Sequence, residues 1–227
     1  MSESGLEGRL AEIRATIARH QQGRGWAHAV RIVAVTKGHG PDAVRRAAAV
    51  GLDAVGENRV QEAIVKQEQC RDVPIVWHLI GAVQRNKVRQ IIDRFELVHS
   101  VDRLDLAVEM QRRLAADRPQ AVLVQVNCSR EAQKGGVEPE ALGQLLDALQ
   151  TLDRIDVRGL MTMAELTDDV GRQREPFALL CRLRDEERAR GHQLPELSMG
   201  MSGDYPIAVE EGATMVRLGT ALFGARA

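Results

Sequence analysis

The feature that most constrains the fold of this chain is the regular alternation of short apolar runs with helical patterns. Eight runs have the length of buried strands. They are Arg31–Thr36, Asp53–Gly56, Ile75–Ile80, Leu97–Val101, Ala121–Asn127, Ile155–Met163, Glu196–Met199 and Thr214–Gly219. Eight strands that alternate strictly with helices in 227 residues predict an α/β fold that closes as a single (β/α)8 barrel of the TIM type.

An open, doubly wound sheet is the alternative architecture for the same alternation. Such sheets commonly carry a Gly-x-Gly-x-x-Gly turn after the first strand, and here only Gly38-His39-Gly40 follows it. The sequence therefore favours the barrel.

Helical periodicity marks the segments between the strands. An opening helix ends near Gly23–Gly25 and carries one apolar face, formed by Leu6, Leu10, Ile13 and Ile17. We expect this extra N-terminal helix, within residues 1–25, to pack on the barrel. Later apolar faces are formed by Val44, Ala47, Ala48 and Gly51; by Val88, Ile91, Ile92 and Phe95; and by Leu142, Leu145, Leu146 and Leu149. A longer charged helix is predicted from Pro176 to Gly191, and residues 1–227 contain no linker or repeat, so one domain is expected.

Composition argues against several classes of partner. The formal net charge of −1 gives no indication of a nucleic-acid or membrane-surface partner. No apolar run is long enough to span a membrane, and the charged N-terminus does not resemble a signal peptide. Three widely spaced cysteines, Cys70, Cys128 and Cys181, are typical of a reducing cytoplasm, where we expect the protein to reside.

Two charged stretches could be mistaken for sites. The basic residues of the segment Gln84–Phe95 lie away from its apolar face, so we predict a solvated surface there rather than a nucleic-acid interface. Glu165, Asp168 and Asp169 have no His or Cys at ligand spacing, so they are predicted to form a loop and a helix cap, and no metal site is expected.

Lys37 is the first candidate functional residue. It follows the first predicted strand in a chain whose 31 Lys and Arg residues include only four lysines, Lys37, Lys66, Lys87 and Lys134. An amine can lose its proton and attack a carbonyl to form a Schiff base, whereas a guanidinium in practice cannot. The alternative is a solvent-facing lysine at a strand end.

Polar residues gather at the carboxyl ends of the predicted strands, where parallel barrels carry their sites. Ser202 lies in a glycine-bearing turn after the seventh strand, and Gly219-Thr220 lies between the eighth strand and a final helix. Backbone N–H groups and hydroxyls in these positions could bind a phosphate. The alternative is that Ser202 and Thr220 only cap helices.

A lysine and a phosphate cradle in one barrel mouth suggest pyridoxal phosphate. Arg217 would then face the pyridine nitrogen, where its permanent charge disfavours ring protonation and weakens the electron sink used by most enzymes of this cofactor. The alternative for Arg217 is a salt bridge to a barrel carboxylate such as Glu57.

Motifs along nearly the whole chain are similar to those of one known family. They are Val33–Lys37, Gly56–Glu62, Trp77–Gly81, Gln84–Lys87, Ser100–Asp102, Gln125–Asn127, Lys134–Gly135, Gly159–Met161, Leu197–Ser202 with Asp204, and Val216–Gly219 with Phe223–Gly224. In content and order these motifs resemble the pyridoxal phosphate homeostasis protein family, which is related to the N-terminal barrel domain of alanine racemase.

The resemblance implies a set of roles for residues of this chain. Lys37 would hold pyridoxal 5′-phosphate as an internal aldimine, and Arg217 would lie near the ring nitrogen. The phosphate would be bound by Ser202, Gly219 and Thr220, and the ring would be lined by Asn58 and His78. The family is regarded as carriers or regulators of cofactor supply, with no established turnover, so no catalytic residue is assigned and apoenzymes that use the cofactor are candidate recipients.

Two enzymatic functions remain as alternatives. An amino-acid racemase of the alanine-racemase type needs a second acid or base on the opposite ring face. The only tyrosine, Tyr205, lies beyond the seventh strand, and the sequence ends soon after the eighth, so we expect no group in that role. A Schiff-base aldolase that acts on a sugar phosphate would use Lys37 in another way. One barrel can be self-sufficient, and we expect a monomer.

Overall fold

All eight predicted runs form strands in the computed structural model, which describes residues 3–224, and each bound lies within two residues of its prediction. The strands are β1 (Arg31–Val35), β2 (Ala54–Glu57), β3 (Val76–Leu79), β4 (Leu97–Val101), β5 (Gln120–Gln125), β6 (Ile155–Met161), β7 (Glu196–Ser198) and β8 (Met215–Leu218). Neighbouring strands are parallel, and β8 pairs with β1. The predicted (β/α)8 barrel is therefore confirmed.

Helices follow the strands around the outside of the barrel. They are α1 (Glu3–Arg24), α2 (Pro41–Ala49), α3 (Val60–Gln69), α4 (Val88–Ile91), α5 (Leu104–Gln111), α6 (Leu142–Leu149), α7 (Val170–Ala189), α8 (Tyr205–Glu210) and α9 (Thr220–Phe223). Three short 3-10 turns lie at Arg85–Lys87, Ala132–Lys134 and Pro139–Ala141. No helix within residues 3–224 combines the length and apolarity needed to cross a bilayer.

Helix α1 packs on the barrel through the four apolar residues that the sequence placed on one face. All four are buried, namely Leu6, Leu10, Ile13 and Ile17. The helix lies against α8 and α9, where Arg9 Nε donates to the Leu222 carbonyl at 2.6 Å. The predicted domain (1–227) and N-terminal helix segment (1–25) include residues 1–2 and 225–227, which lie outside the described residues.

Helix α7 begins at Val170, so the prediction of a start at Pro176 was wrong. The Asp169 carboxylate accepts hydrogen bonds from the N–H groups of Gly171 and Arg172 at 2.8 and 3.2 Å, which caps the helix as predicted for this acidic stretch. Pro176 lies inside the helix, where it removes a backbone hydrogen bond without ending it. The helical face predicted as far as Phe95 also ends early, because Ile92 adopts an extended backbone after α4.

The barrel interior changes from apolar to polar along its axis. An apolar cluster fills its lower part, formed by Val33, Ala54, Leu97, Leu123, Met161 and Met215. Side chains two residues apart on a strand share a face. His99 therefore follows Leu97 into the interior, and Arg217 follows Met215, each nearer the carboxyl ends of the strands.

Candidate functional site

A pocket with a volume of about 390 Å³ opens at the carboxyl ends of the strands. It is lined by six of the seven residues predicted from the sequence, namely Lys37, Asn58, Ser202, Arg217, Gly219 and Thr220. They come from β8 and from the loops after β1, β2, β7 and β8, which meet because β8 pairs with β1. The volume lies within the range of small-molecule sites, roughly 300–1,000 Å³.

His78 is the seventh predicted residue, and it does not line this pocket. It is fully buried in the barrel interior, and Ile80, two residues later on the same face, contributes to the pocket wall instead. Its Nδ1 lies 3.0 Å from Nε2 of His99. Burial lowers the pKa of His78 to about 4, so the ring is neutral at physiological pH.

Arg217 is held by the barrel wall beneath the pocket. Its Nη1 donates to the carbonyl and the hydroxyl of Ser198 at 2.8 and 2.7 Å, and its Nη2 donates to the Thr162 carbonyl at 2.9 Å. Burial lowers its pKa to about 10, partly opposed by the charge of Asp204, so the guanidinium stays charged at neutral pH. The alternative of a salt bridge to Glu57 is not found among the described residues; Glu57 binds Lys66 instead.

The backbone before Lys37 is anchored by a buried ion pair. Lys66 Nζ, on α3, donates to the Thr36 carbonyl and to Glu57 Oε1, both at 2.6 Å. The Thr36 hydroxyl also donates to Glu57 Oε1 at 2.5 Å. Burial raises the pKa of Glu57, and the bonds from Lys66 and Thr36 oppose that shift. This ion pair holds the end of β1, and with it the position from which the Lys37 side chain starts.

The backbone after Lys37 is tied to the same ammonium group. Glu62 Oε1 accepts from Lys66 Nζ at 2.9 Å and from the Gly38 N–H at 2.6 Å. The sequence analysis did not predict these contacts of Lys66 and Glu62 with the backbone on either side of Lys37. Two signals could have indicated them: Lys66 is one of only four lysines, and it lies four residues after Glu62 on a helix face that also carries Ala63.

Ser202 closes one end of the pocket. Its Oγ accepts from the N–H groups of Gly219 and Ala221 at 3.2 and 3.0 Å, so the hydroxyl caps the start of α9. The turn that carries Ser202 is held by Asp204, whose Oδ1 accepts from the Met201 N–H at 2.5 Å. Ser202, Gly219 and Thr220 line the pocket at this end, beside the N–H groups that donate to Ser202.

Asn58 is positioned by a close approach between two strand ends. A Cβ atom on Gly81 would lie 2.1 Å from the Asn58 carbonyl oxygen, so only glycine fits there. The Gly81 carbonyl in turn accepts from the Ser100 hydroxyl at 2.6 Å. The loop after β2 is thereby fixed against β3 and β4.

Lys134 and Asp204 also line the pocket, although the sequence analysis gave neither of them a role in the site. Lys134 Nζ donates to the Ala164 carbonyl at 2.6 Å and pairs with Glu131. Asp204 is buried, and burial raises the pKa of its carboxyl. Both stand in motifs that carry the family resemblance, which is the signal that could have identified them.

A second, more open groove of about 600 Å³ lies at the other end of the barrel, beside α1. Four of its charged and hydroxyl side chains pair with one another: Arg31 with Asp53 at 3.0 Å, and Thr214 with Glu196 at 2.5 Å. None of the predicted site residues lines it. The groove therefore lacks the convergent groups found at the carboxyl ends.

Comparisons of this chain with known proteins agree on one family. Residues 9–227 match the family model of the alanine racemase N-terminal domain. A pyridoxal phosphate homeostasis protein of Pseudomonas aeruginosa is 45% identical over 219 residues, which cover 96% of this chain and 94% of that protein.

Solved structures extend this likeness. PipY of Synechococcus elongatus, solved without and with PLP bound, is 38% and 37% identical, with TM-scores of 0.86 and 0.83 over 96% of this chain and 100% of that one. An alanine racemase of Corynebacterium glutamicum is 20% identical, with a TM-score of 0.71 over 93% of this chain and 61% of that one, a likeness of fold alone. The chain therefore belongs to the pyridoxal phosphate homeostasis protein family, which shares the N-terminal domain of alanine racemase.

Proposed function

We propose that this protein binds pyridoxal 5′-phosphate in the 390 Å³ pocket and acts in the homeostasis of that cofactor as a carrier or regulator. One observation carries the proposal: the amine of Lys37, the guanidinium of Arg217 and the donors around Ser202 converge in a single pocket. These three groups match an aldehyde, a ring nitrogen and a phosphate. The bound PLP in the related PipY structure supports the same ligand.

Each group of the pocket has a defined task toward the cofactor. When bound, the cofactor supplies an aldehyde that an amine can attack, and Lys37 supplies that amine. Arg217 presents a positive charge toward the ring nitrogen, and Asn58 lines the ring. Ser202, Gly219 and Thr220 bind the phosphate, whose oxygens are stronger acceptors for the N–H groups of α9 than a neutral hydroxyl.

The same residues favour retention of the cofactor over turnover. Arg217 stays charged at neutral pH and disfavours protonation of the ring nitrogen, which weakens the electron sink needed for racemisation. Within the described residues, Tyr205 is not part of the pocket lining, so its hydroxyl is not placed to serve as a second acid. We infer a cytoplasmic monomer whose recipients are apoenzymes that use this cofactor.

The covalent attachment is tested with lysine-to-arginine variants. Borohydride reduction of the protein with pyridoxal phosphate, followed by peptide mass spectrometry, should place the adduct on Lys37. Lys37→Arg keeps the charge and should abolish the adduct, because a guanidinium does not form it. Lys134→Arg, a matched change in the same pocket, should retain the adduct on Lys37. An adduct on Lys134 or Lys87 in the Lys37→Arg protein would contradict the assignment.

Carrier and racemase are separated by two further measurements. A carrier should transfer its cofactor to an apoenzyme in the presence of a scavenger that traps free pyridoxal phosphate. It should not exchange the α-proton of alanine in heavy water at an ordinary enzyme rate, about 10 per second. Exchange at that rate would establish the racemase alternative instead.

A further inference from the structure

We propose that His99 and Ser198 position Arg217, and that His78 completes a hydrogen-bonded chain running from the pocket floor into the barrel. These four side chains form the polar layer. All are buried: His78, His99 and Ser198 are fully enclosed, and Arg217 is 4% exposed. The inference rests on the proposed function, because Arg217 matters to the cofactor only if the cofactor lies above it.

The distances within the polar layer form one continuous chain. Arg217 Nη1 lies 2.7 Å from Ser198 Oγ. Ser198 Oγ lies 2.9 Å from Nδ1 of His99, and Nε2 of His99 lies 3.0 Å from Nδ1 of His78. The chain thus crosses the barrel interior from β8 through β7 and β4 to β3.

Donor chemistry gives this chain one direction. A guanidinium has only donors, so Ser198 Oγ must accept from Arg217. The Ser198 hydroxyl hydrogen is then free to point at Nδ1 of His99, which makes that nitrogen an acceptor and places the ring proton on Nε2. Nε2–H of His99 donates in turn to Nδ1 of His78, whose own proton is also on Nε2.

The opposite direction satisfies fewer groups. If His78 donated to His99 and His99 to Ser198, the hydroxyl of Ser198 would receive two donors, and no further acceptor for its hydrogen is recorded within residues 3–224. In both directions Nε2 of His78 lacks a partner among the described residues, so that atom does not distinguish them. A buried hydroxyl without an acceptor is costly, and this decides the direction.

The chain fixes both the orientation of Arg217 and the charge beneath the cofactor. With its hydrogen directed at His99, Ser198 keeps its lone pairs toward Nη1, while the Thr162 carbonyl holds Nη2. Burial keeps both rings neutral: it lowers the pKa of His78 to about 4 and that of His99 well below its usual value, with the nearby charge of Arg217 adding to the shift of His99. Of the four members, only Arg217 then carries charge.

The direction of the chain can be measured without any cofactor. Long-range ¹H–¹⁵N spectra of the cofactor-free full chain, with His78→Gln and His99→Gln for assignment, should show both rings neutral and protonated on Nε2 from pH 5.5 to pH 8. A ring protonated on Nδ1, or a titration of either ring near the ordinary value of about 6.5, would overturn the proposal.

The positioning role is tested by variants with cofactor. His99→Leu removes the acceptor for Ser198 and should weaken pyridoxal phosphate binding by about tenfold and shift the absorption maximum of the Lys37 adduct. His99→Gln retains an acceptor and a donor, so it should restore both the binding affinity and the absorption maximum. Ser198→Ala should reproduce the effect of His99→Leu, and it replaces that variant if His99→Leu fails to fold. Leu97→Ala, from the same strand, removes only apolar volume and should leave the absorption maximum unchanged.

The outcomes separate this inference from the proposed function. If the wild-type protein binds no pyridoxal phosphate, the proposed function fails together with the positioning role. The NMR spectra still decide whether the hydrogen-bonded chain of the polar layer exists. If the wild-type protein binds the cofactor but His99→Leu and Ser198→Ala behave like Leu97→Ala, the positioning role is overturned and the proposed function stands.

Discussion

Lys37 and Lys66 lie on opposite sides of the same strand end and have opposite surroundings. Lys37 lines the pocket after β1. Lys66 is buried behind it, 4% exposed, with its ammonium bonded to the Thr36 carbonyl and to the carboxylates of Glu57 and Glu62. A compact ammonium can donate to three convergent oxygens that a planar guanidinium would not fit, which accounts for a second lysine in an arginine-rich chain.

We expect these two lysines to have different roles, ligand binding for Lys37 and stability of the fold for Lys66, which the sequence does not distinguish. The Lys37 side chain faces the pocket, where it is available to a ligand, and we expect it to contribute little to folding. Side chains behind the pocket contact only protein, and their loss leaves buried charges or donors without partners. Stability and ligand binding should therefore respond to different residues, although these residues are neighbours.

The largest effect is expected for Lys66→Met, which leaves Glu57 buried without its cation. Breaking a buried ion pair from one side typically costs about 3–5 kcal/mol, so the free energy of unfolding of the cofactor-free protein should fall by that amount in urea titrations. Adding Glu57→Leu should recover part of the loss, because the uncompensated charge is removed. Lys87→Met, at a half-buried lysine for which no ion pair is recorded in the described chain, should change stability by about 0.5 kcal/mol or less.

A smaller effect, on binding alone, is expected on the pocket side. Ser202→Ala and Thr220→Ala each remove a hydroxyl from the proposed phosphate site, and hydrogen bonds to charged groups are worth about 1.5–3 kcal/mol. Calorimetry should show much weaker binding of pyridoxal phosphate and nearly unchanged binding of unphosphorylated pyridoxal. Equal losses for both ligands would mean that these residues only shape the loop, as helix caps do.

The polar layer should make the stability of the protein depend on pH through its two buried histidines. The pKa of His78 is about 4 in the folded protein and about 6.5 when unfolded, so the unfolded state binds more protons as the pH falls below 6.5. The contribution of His78 to the free energy of unfolding is therefore fully present above pH 6.5. It is lost as the pH falls toward 4, by up to about 1.4 kcal/mol per pH unit. His99 acts in the same direction; Arg31 adds to the shift of His78, and Asp53 opposes it.

The measurement is urea unfolding at pH 7, 6 and 5 for the wild type and His78→Gln. The variant should show the shallower dependence of stability on pH over this range. Identical slopes for the two proteins would contradict a buried neutral His78.

Much of this architecture could be predicted from sequence because its signals are local. Short apolar runs predicted all eight strands, and residues at or just after the strand ends predicted five pocket-lining residues; the family resemblance added Asn58. His78 was predicted to line the pocket, but it lies deeper in the barrel. The sequence does not show how far below the pocket a strand residue lies, and Ile80, on the same face, lines the pocket instead.

The contacts of Lys66 on either side of Lys37 were not predicted, because the sequence signals at Lys66 do not show how α3 packs against the end of β1. Glu57 was considered as a partner for Arg217, and only the three-dimensional structure pairs it with Lys66. The start of α7 was misplaced for a related reason. A proline often begins a helix, but here the Asp169 cap outweighs that preference.

The smallest change in stability is expected for Lys37→Ala, the counterpart of Lys66→Met. Its side chain extends into the pocket rather than into the apolar core, so its loss should change the free energy of unfolding of the cofactor-free protein by about 1 kcal/mol or less. With pyridoxal phosphate present, wild type should gain stability through ligand linkage, and the variant should gain far less. A loss in the cofactor-free variant as large as that of Lys66→Met would contradict the separation of tasks, because Lys37 would then also hold the fold together.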